Sequence, residues 1–156
     1  MKNNFKMGYM EKSSIPLPLE ASCIRRVRFE EVDPLGMVHH GRYPSFFEDG
    51  RVAFGDRYGL GYDAFIKNRV MAPIVRLFVN YKSPLRLDDV FEIRVRLNWC
   101  ESLKLSFSYE LVKKDGIICA TGYTIQLLTD ENGILLFAPP VFIEEFREKW
   151  KKGALI

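Results

Sequence analysis

From residue 90 to residue 97 the chain alternates strictly, with Phe91, Ile93, Val95 and Leu97 on one face and Glu92, Arg94 and Arg96 on the other. A period of two is the signature of a half-buried strand. The same pattern returns at Leu103, Leu105, Phe107, Tyr109 and Leu111, set against Lys104, Ser106, Ser108 and Glu110. Asp115-Gly116 predicts a hairpin into a strand over 117–129, and Asn132-Gly133 a second turn into 134–137. The largely apolar run 71–81 predicts one more long strand, and Cys23, Ile24 and Val27 a short one near Ala21. Residues 43–58 follow another period: Phe47, Arg51, Phe54 and Tyr58 recur at helical spacing beside a stripe of Phe46, Gly50 and Ala53. Pro44 suits the first turn of that helix and Gly59 its end. A short helix over 63–67 follows, and Pro139-Pro140 opens a last amphipathic helix with a Phe142, Phe146, Trp150 stripe.

An antiparallel sheet with one wet face must cover its apolar face, and the early helix is the element long enough to do so. The predicted fold class is therefore α+β, a curved antiparallel sheet wrapped around a central helix. Phe46, Phe47, Phe54 and Tyr58 on the helix, with Phe78, Phe91, Phe107, Tyr109 and Tyr123 on the strands, are expected to form the core. Gly50 and Gly55 each cost about 1 kcal/mol against alanine inside a helix, which predicts that another backbone approaches closely there. Residues 1–20, polar and carrying Pro16 and Pro18, read as an N-terminal tail before a single domain over 21–156.

Composition narrows the field. A chain of 156 residues with 47% apolar and 28% charged residues is one ordinary globular domain. The net charge of +3 comes without a basic stripe, which argues against nucleic acid as a partner. Cys23, Cys100 and Cys119 are odd in number and show no CxxC spacing, so each is expected to be a small buried thiol in a reducing, cytoplasmic setting, with no zinc or other metal site. No run is long and apolar enough for stable membrane insertion.

The chemistry is concentrated in residues 32–51, VDPLGMVHHGRYPSFFEDGR. This segment holds Asp33, both histidines of the chain (His39 and His40), Tyr43, and the Glu48–Arg51 set. Asp33 lies in a Pro/Gly loop feeding the N-terminus of the central helix. Unpaired N–H groups there can stabilise negative charge developing on a carbonyl oxygen. A nearby carboxylate can activate water, or attack directly, at the same carbon. Those parts suit hydrolysis of an activated acyl group such as a thioester, although an aspartate in this place also serves as a cap. Glu48 and Arg51 have the spacing of an intrahelical pair, and adjacent His39 and His40 are expected to point to different sides. Lys82 and Arg86 are loop cations that could meet phosphates, and Arg42 is a cation placed to pair with Asp33 or with an anionic substrate. The thiols have no histidine near in sequence to activate them.

The series Asp33-x-x-Gly36-x-Val38-x-His40-x-x-Tyr43-x-x-x-x-Glu48-x-x-Arg51 resembles the signature of hotdog-fold thioesterases of the 4-hydroxybenzoyl-CoA thioesterase type, and most of all the short-chain acyl-CoA thioesterases associated with the Tol–Pal system. A second block, Val75-Arg76 followed by Tyr81-x-x-Pro84-x-Arg86-Leu87-Asp88-Asp89, agrees in order and spacing. The resemblance implies a hotdog fold with Asp33 as the catalytic carboxylate, base or nucleophile, and His40 beside the thioester. Tyr43 and Glu48 match further motif positions, with Tyr43 expected to join Asp33 and His40 as a catalytic residue; substrate contacts are expected from Arg42, Glu48, Lys82 and Arg86. It also implies an acyl-CoA or acyl carrier protein thioester as substrate, no separate cofactor, and a homodimer or homotetramer with sites between subunits. His39 stands where the family has an aromatic, Arg42 where it has Asn or a small polar residue, and Val32 where it has Thr. Two other activities fit the same fold: a non-catalytic module that binds acyl thioesters, and an enoyl-CoA hydratase or dehydratase.

Overall fold

A computed structural model describes residues 15–155. The strands are β1 (Leu19–Arg26), β2 (Val70–Met71), β3 (Ile74–Tyr81), β4 (Val90–Asn98), β5 (Lys104–Lys113), β6 (Ile118–Leu127) and β7 (Thr129–Asp130). The helices are α1 (Tyr43–Tyr58), α2 (Tyr62–Lys67) and α3 (Val141–Lys151). Five strands form one antiparallel sheet in the order β1-β4-β5-β6-β3, so β1 and β3 are its edges. The alternation in β4 and β5 fixes which face is inward: Phe91, Ile93, Val95, Phe107, Tyr109 and Leu111 are all buried.

That inward face packs on α1. Phe46 and Phe54 have 0% exposure, and Phe47 stacks on Tyr109 with ring centroids 4.4 Å apart. Burying each such ring is worth roughly 1.5–3 kcal/mol, which outweighs the weak helix propensity of an aromatic- and glycine-containing segment. Gly55 is where a backbone approaches: a Cβ there would lie 2.7 Å from the Cα of Gly61. At Gly50 the close neighbour is instead a side chain of the sheet, Ile93 Cγ2, 2.8 Å from a Cβ built there. Gly59 ends the helix in the left-handed conformation, φ 69°.

Several expectations from sequence are corrected. The run 71–81 is two strands, because Pro73 has no N–H to donate to a ladder: β2 pairs with β7, and β3 joins the main sheet. Residues 134–137 form no strand; Leu135 makes a single bridge to Thr129. The first strand opens at Leu19, inside the segment read as a tail, while residues 1–14 of that segment lie outside the described residues. Phe78 and Tyr123 are not core: they stack on each other, centroids 5.5 Å apart, on the outer face opposite α1, and Phe78 is 49% exposed. The buried stripe of α3 is Ile143, Phe146 and Trp150, while Phe142 packs edge-on against Phe65. Cys119 is buried, whereas Cys23 and Cys100 are half-buried.

Candidate active site

The loop that carries Asp33 is a tight reversal. Val32 bridges Val38, Asp33 N–H donates to the Met37 carbonyl at 2.8 Å, and Gly36 N–H donates to the Asp33 carbonyl at 2.9 Å. Gly36 adopts φ +75°, a conformation that L side chains rarely take. The reversal is tied to the segment before β4, where Val38 N–H donates to Leu85 O at 2.8 Å and Met37 bridges Arg86. Asp33 Oδ1 accepts the Leu35 N–H at 2.8 Å. Its Oδ2 makes no hydrogen bond among the described residues, so one oxygen shapes the turn and the other has no partner there.

The next turn, His40–Arg42, is 3-10 and leads straight into α1. His39 is its N-cap: Nδ1 accepts the Gly41 N–H at 3.0 Å, and its own N–H donates to Glu31 O at 2.8 Å. Glu31 is 4% exposed; it takes the Arg25 guanidinium and the Arg28 N–H, and Arg25 also pairs with Asp49 on α1. A charged staple thus joins β1, the turn before Asp33 and α1. The two imidazoles do not diverge as expected. Their centroids lie 4.1 Å apart, at the junction where His39, with ψ 133°, leads into the 3-10 turn that begins at His40. Arg42, the N-cap of α1, contributes no side-chain cap, so the first-turn N–H groups of that helix keep no side-chain acceptor.

Asp33, His40, Tyr43 and Lys82 meet in one cleft of about 350 Å³, with Met37 and Val38 as its apolar wall. Tyr43 is 4% exposed, and burial pushes its phenol above the ordinary value; the nearby Cys119 adds to this and a hydrogen bond with the Leu85 backbone opposes it. Sequence reasoning gave no role to Tyr81, which also lines the cleft and packs edge-on against Tyr43, centroids 4.9 Å apart. It was visible only as a member of the second motif block. Three expected contacts lie elsewhere. Arg42 does not pair with Asp33; its Nη2 donates to Glu30 O at 3.1 Å. Glu48 is held by Arg51 at 2.6 Å on α1, as its spacing predicted, and Arg51 in turn meets the Tyr62 hydroxyl. Arg86 donates its N–H to Asp89 Oδ2 at 2.8 Å and does not line the cleft. A second depression, about 410 Å³, runs beside β1 among Arg25, Arg26 and Arg28, but its one carboxylate, Asp49, is already paired with Arg25. Among the described residues the Asp33 cleft is therefore where a carboxylate, an imidazole, two phenols and a lysine come together. Among the described residues no cluster of metal-ligating side chains occurs, and no helix is long and apolar enough to cross a membrane.

Proteins similar to this chain include named thioesterases. The acyl-CoA thioester hydrolase YbgC of Escherichia coli is 28% identical over 124 residues, covering 79% of this chain and 92% of YbgC. Among solved structures, a hypothetical protein of Aquifex aeolicus shares 32% identity with TM-score 0.72, covering 79% of this chain and 96% of its own. The DHNA-CoA thioesterase of Staphylococcus aureus superposes with TM-score 0.77 at 23% identity, covering 87% of this chain and 92% of its own, a likeness of fold. The profile of the thioesterase-like superfamily matches residues 27–149. From the Asp33 turn to α3, this chain belongs to the thioesterase-like superfamily and has its hotdog fold.

Proposed function

We propose that the chain hydrolyses acyl-CoA thioesters, with Asp33 as the catalytic carboxylate. Membership of the superfamily makes it a thioester hydrolase. The observation that supports the finer reading is the divided use of Asp33: Oδ1 is held by the Leu35 N–H, Oδ2 has no hydrogen-bond partner among the described residues, and Asp33 lines one cleft with His40. Two balanced routes are available to it. As a general base, Asp33 takes a proton from water while the water oxygen bonds to the thioester carbon, and the tetrahedral intermediate expels the CoA thiolate. As a nucleophile, it displaces the thiolate itself and forms a mixed anhydride that water then opens. In both routes negative charge develops on the carbonyl oxygen, and backbone N–H groups near the start of α1 are the donors proposed to stabilise it, Pro44 excepted. His40 orients the water or the substrate, and Tyr43 forms the floor beside it.

A short-chain acyl-CoA of the kind handled by Tol–Pal-associated relatives is the preferred substrate on motif likeness, and Lys82 at the cleft is the cation placed for its phosphates. Carrier-protein thioesters present the same reacting group on the same pantetheine arm. Arg42, Glu48 and Arg86, which do not line the cleft of one subunit, are proposed to meet substrate or partner in the assembled protein. We place that assembly on β3, whose Ile74, Val75, Leu77 and Phe78 are exposed along an unpaired edge, giving a homodimer or a tetramer built from dimers. The reaction needs no cofactor beyond the CoA of the substrate, and the setting is cytoplasmic.

Thiol release from acetyl-, butyryl-, hexanoyl- and benzoyl-CoA tests this reading. Asp33→Asn keeps the turn acceptor and removes the base, so kcat should fall about 10²–10⁴-fold with Tm unchanged. Unchanged turnover in that variant overturns Asp33 as the catalytic carboxylate.

A further inference from the structure

Tyr81 closes β3 and is half exposed, yet its hydroxyl is specifically engaged, donating to the carbonyl of His40 at 2.8 Å across 41 residues of chain. The His40 carbonyl opens the 3-10 turn that runs into α1. The residue four places on, which would share that carbonyl in an α-helix, is Pro44, which has no N–H to give. The Tyr81 hydroxyl adds a donor from the sheet. The ring adds a second hold, edge-on to Tyr43 at 4.9 Å with an interplanar angle of 87°.

The consequences fall on the His40 turn. On its N-terminal side it is tied by the His39 N–H to Glu31 O, and on its C-terminal side it runs into α1. Between them, Tyr81 is the tie from β3. Lys82 continues from Tyr81 into the cleft wall, with its N–H anchored on Cys119 O at 2.9 Å. The phenol and the Lys82 cation are therefore set by the same strand end, facing the same cleft as Asp33.

We propose that Tyr81 is a positioning residue for thioester hydrolysis: through its hydrogen bond to the His40 carbonyl and its contact with Tyr43, it fixes the His40 turn opposite Asp33. The proposal deepens the thioesterase reading and rests on it. Tyr81 neither transfers a proton nor bonds to substrate, so its loss lowers the rate of the chemical step without weakening substrate binding.

The test is steady-state kinetics of the full chain and of Tyr81→Phe on whichever of the four acyl-CoA substrates above the wild type turns over fastest. The phenylalanine variant keeps the ring and deletes one hydrogen bond. Its kcat should fall about tenfold with KM within twofold of wild type and Tm unchanged, matching the net worth of a neutral hydrogen bond. Tyr81→Leu, which also removes the ring contact with Tyr43, should fall further in kcat. An unchanged kcat in Tyr81→Phe, or a raised KM with kcat intact, overturns the positioning role. Asp33→Asn run alongside separates the two failures: its inactivity together with a fully active Tyr81→Phe removes only the role of Tyr81. A wild type that hydrolyses none of the four removes both.

Discussion

Along β1 the sheet edge is finished with charge: Glu20 pairs with Arg96 at 2.6 Å, Tyr58 hydroxyl donates to the Glu20 carbonyl, and Arg25 is held between Glu31 and Asp49. Along β3, at the opposite edge of the same sheet, Ile74, Val75, Leu77, Phe78 and Tyr81 are 41–55% exposed. Charged and ion-paired residues blunt an edge against further strands, whereas a bare apolar edge is a surface made for one. The candidate site follows the unfinished edge, since Tyr81 and Lys82 continue from β3 into the cleft. One edge of the sheet is thus closed by ion pairs, while the other carries the exposed apolar strand that leads into the candidate cleft.

The sharpest way to break this contrast is to place the same charge on each edge. Leu77→Asp should turn a β3-paired dimer into monomers, since burying an unpaired carboxylate costs several kcal/mol, on the order of 10³-fold in the dissociation constant at about 4 kcal/mol. Ile24→Asp on β1 should leave the oligomer unchanged. Sedimentation of both variants decides it; equal behaviour would remove the difference between the edges. Next in size is the staple on the β1 side. Arg25→Met leaves Glu31 buried without its cation and should lower unfolding stability by about 3 kcal/mol in urea titrations, with kcat altered less than stability. A smaller effect is expected on the β3 side at Gly122, where a Cβ would lie 2.4 Å from the Phe78 carbonyl oxygen and 2.5 Å from the Phe47 ring. Gly122→Ala should cost about 2 kcal/mol by overpacking between β3 and α1.

The smallest is a pH effect at the turn between the β3 end and β4. Burial alone would push the Asp89 carboxyl up, but the Lys113 hydrogen bond and the Arg86 N–H outweigh it and hold the group below its ordinary value. The hydrogen bond to Asp89, 2.8 Å away, raises the Lys113 ammonium above its own. A lowered carboxyl stabilises the fold above its unfolded value of 3.8, and that gain fades as pH falls through the lower folded value. A raised ammonium stabilises below its unfolded value of 10.5 and loses the gain as pH rises through the higher folded value. Lys113→Met should therefore cost up to about 1 kcal/mol near neutral pH, with the gap to wild type closing at both extremes of pH.

How much of this was legible in sequence depended on whether the signal was local. The α1 boundaries, the β4 and β5 alternation and the Glu48–Arg51 pair all follow from spacing within one element, and the structure has each of them. Asp33, His40 and Tyr43 share a stretch of ten or so residues, so their convergence on one cleft was readable as well. What spacing does not carry is partnership across the chain. Phe78 and Tyr123 look like core by type, yet the register pairing Phe78 with Tyr123 puts both outside. The Tyr81–His40 bond joins residues 41 apart, and neither local pattern announces the other. Arg42 reads as a partner for Asp33 because the two are close in sequence, but the intervening reversal turns it towards Glu30.

The strand order also sets a timetable. Within this sheet β3 pairs only with β6, whose residues follow it by some forty positions. At a synthesis rate of about 5–20 residues per second, the apolar strand waits several seconds on the ribosome before its partner emerges. Throughout that interval its two sides are unpaired, and a nascent copy nearby presents the same surface. The bare apolar edge of the finished sheet is thus also a surface that the newborn chain carries unpaired, an aggregation hazard that grows when it is made fast and in quantity.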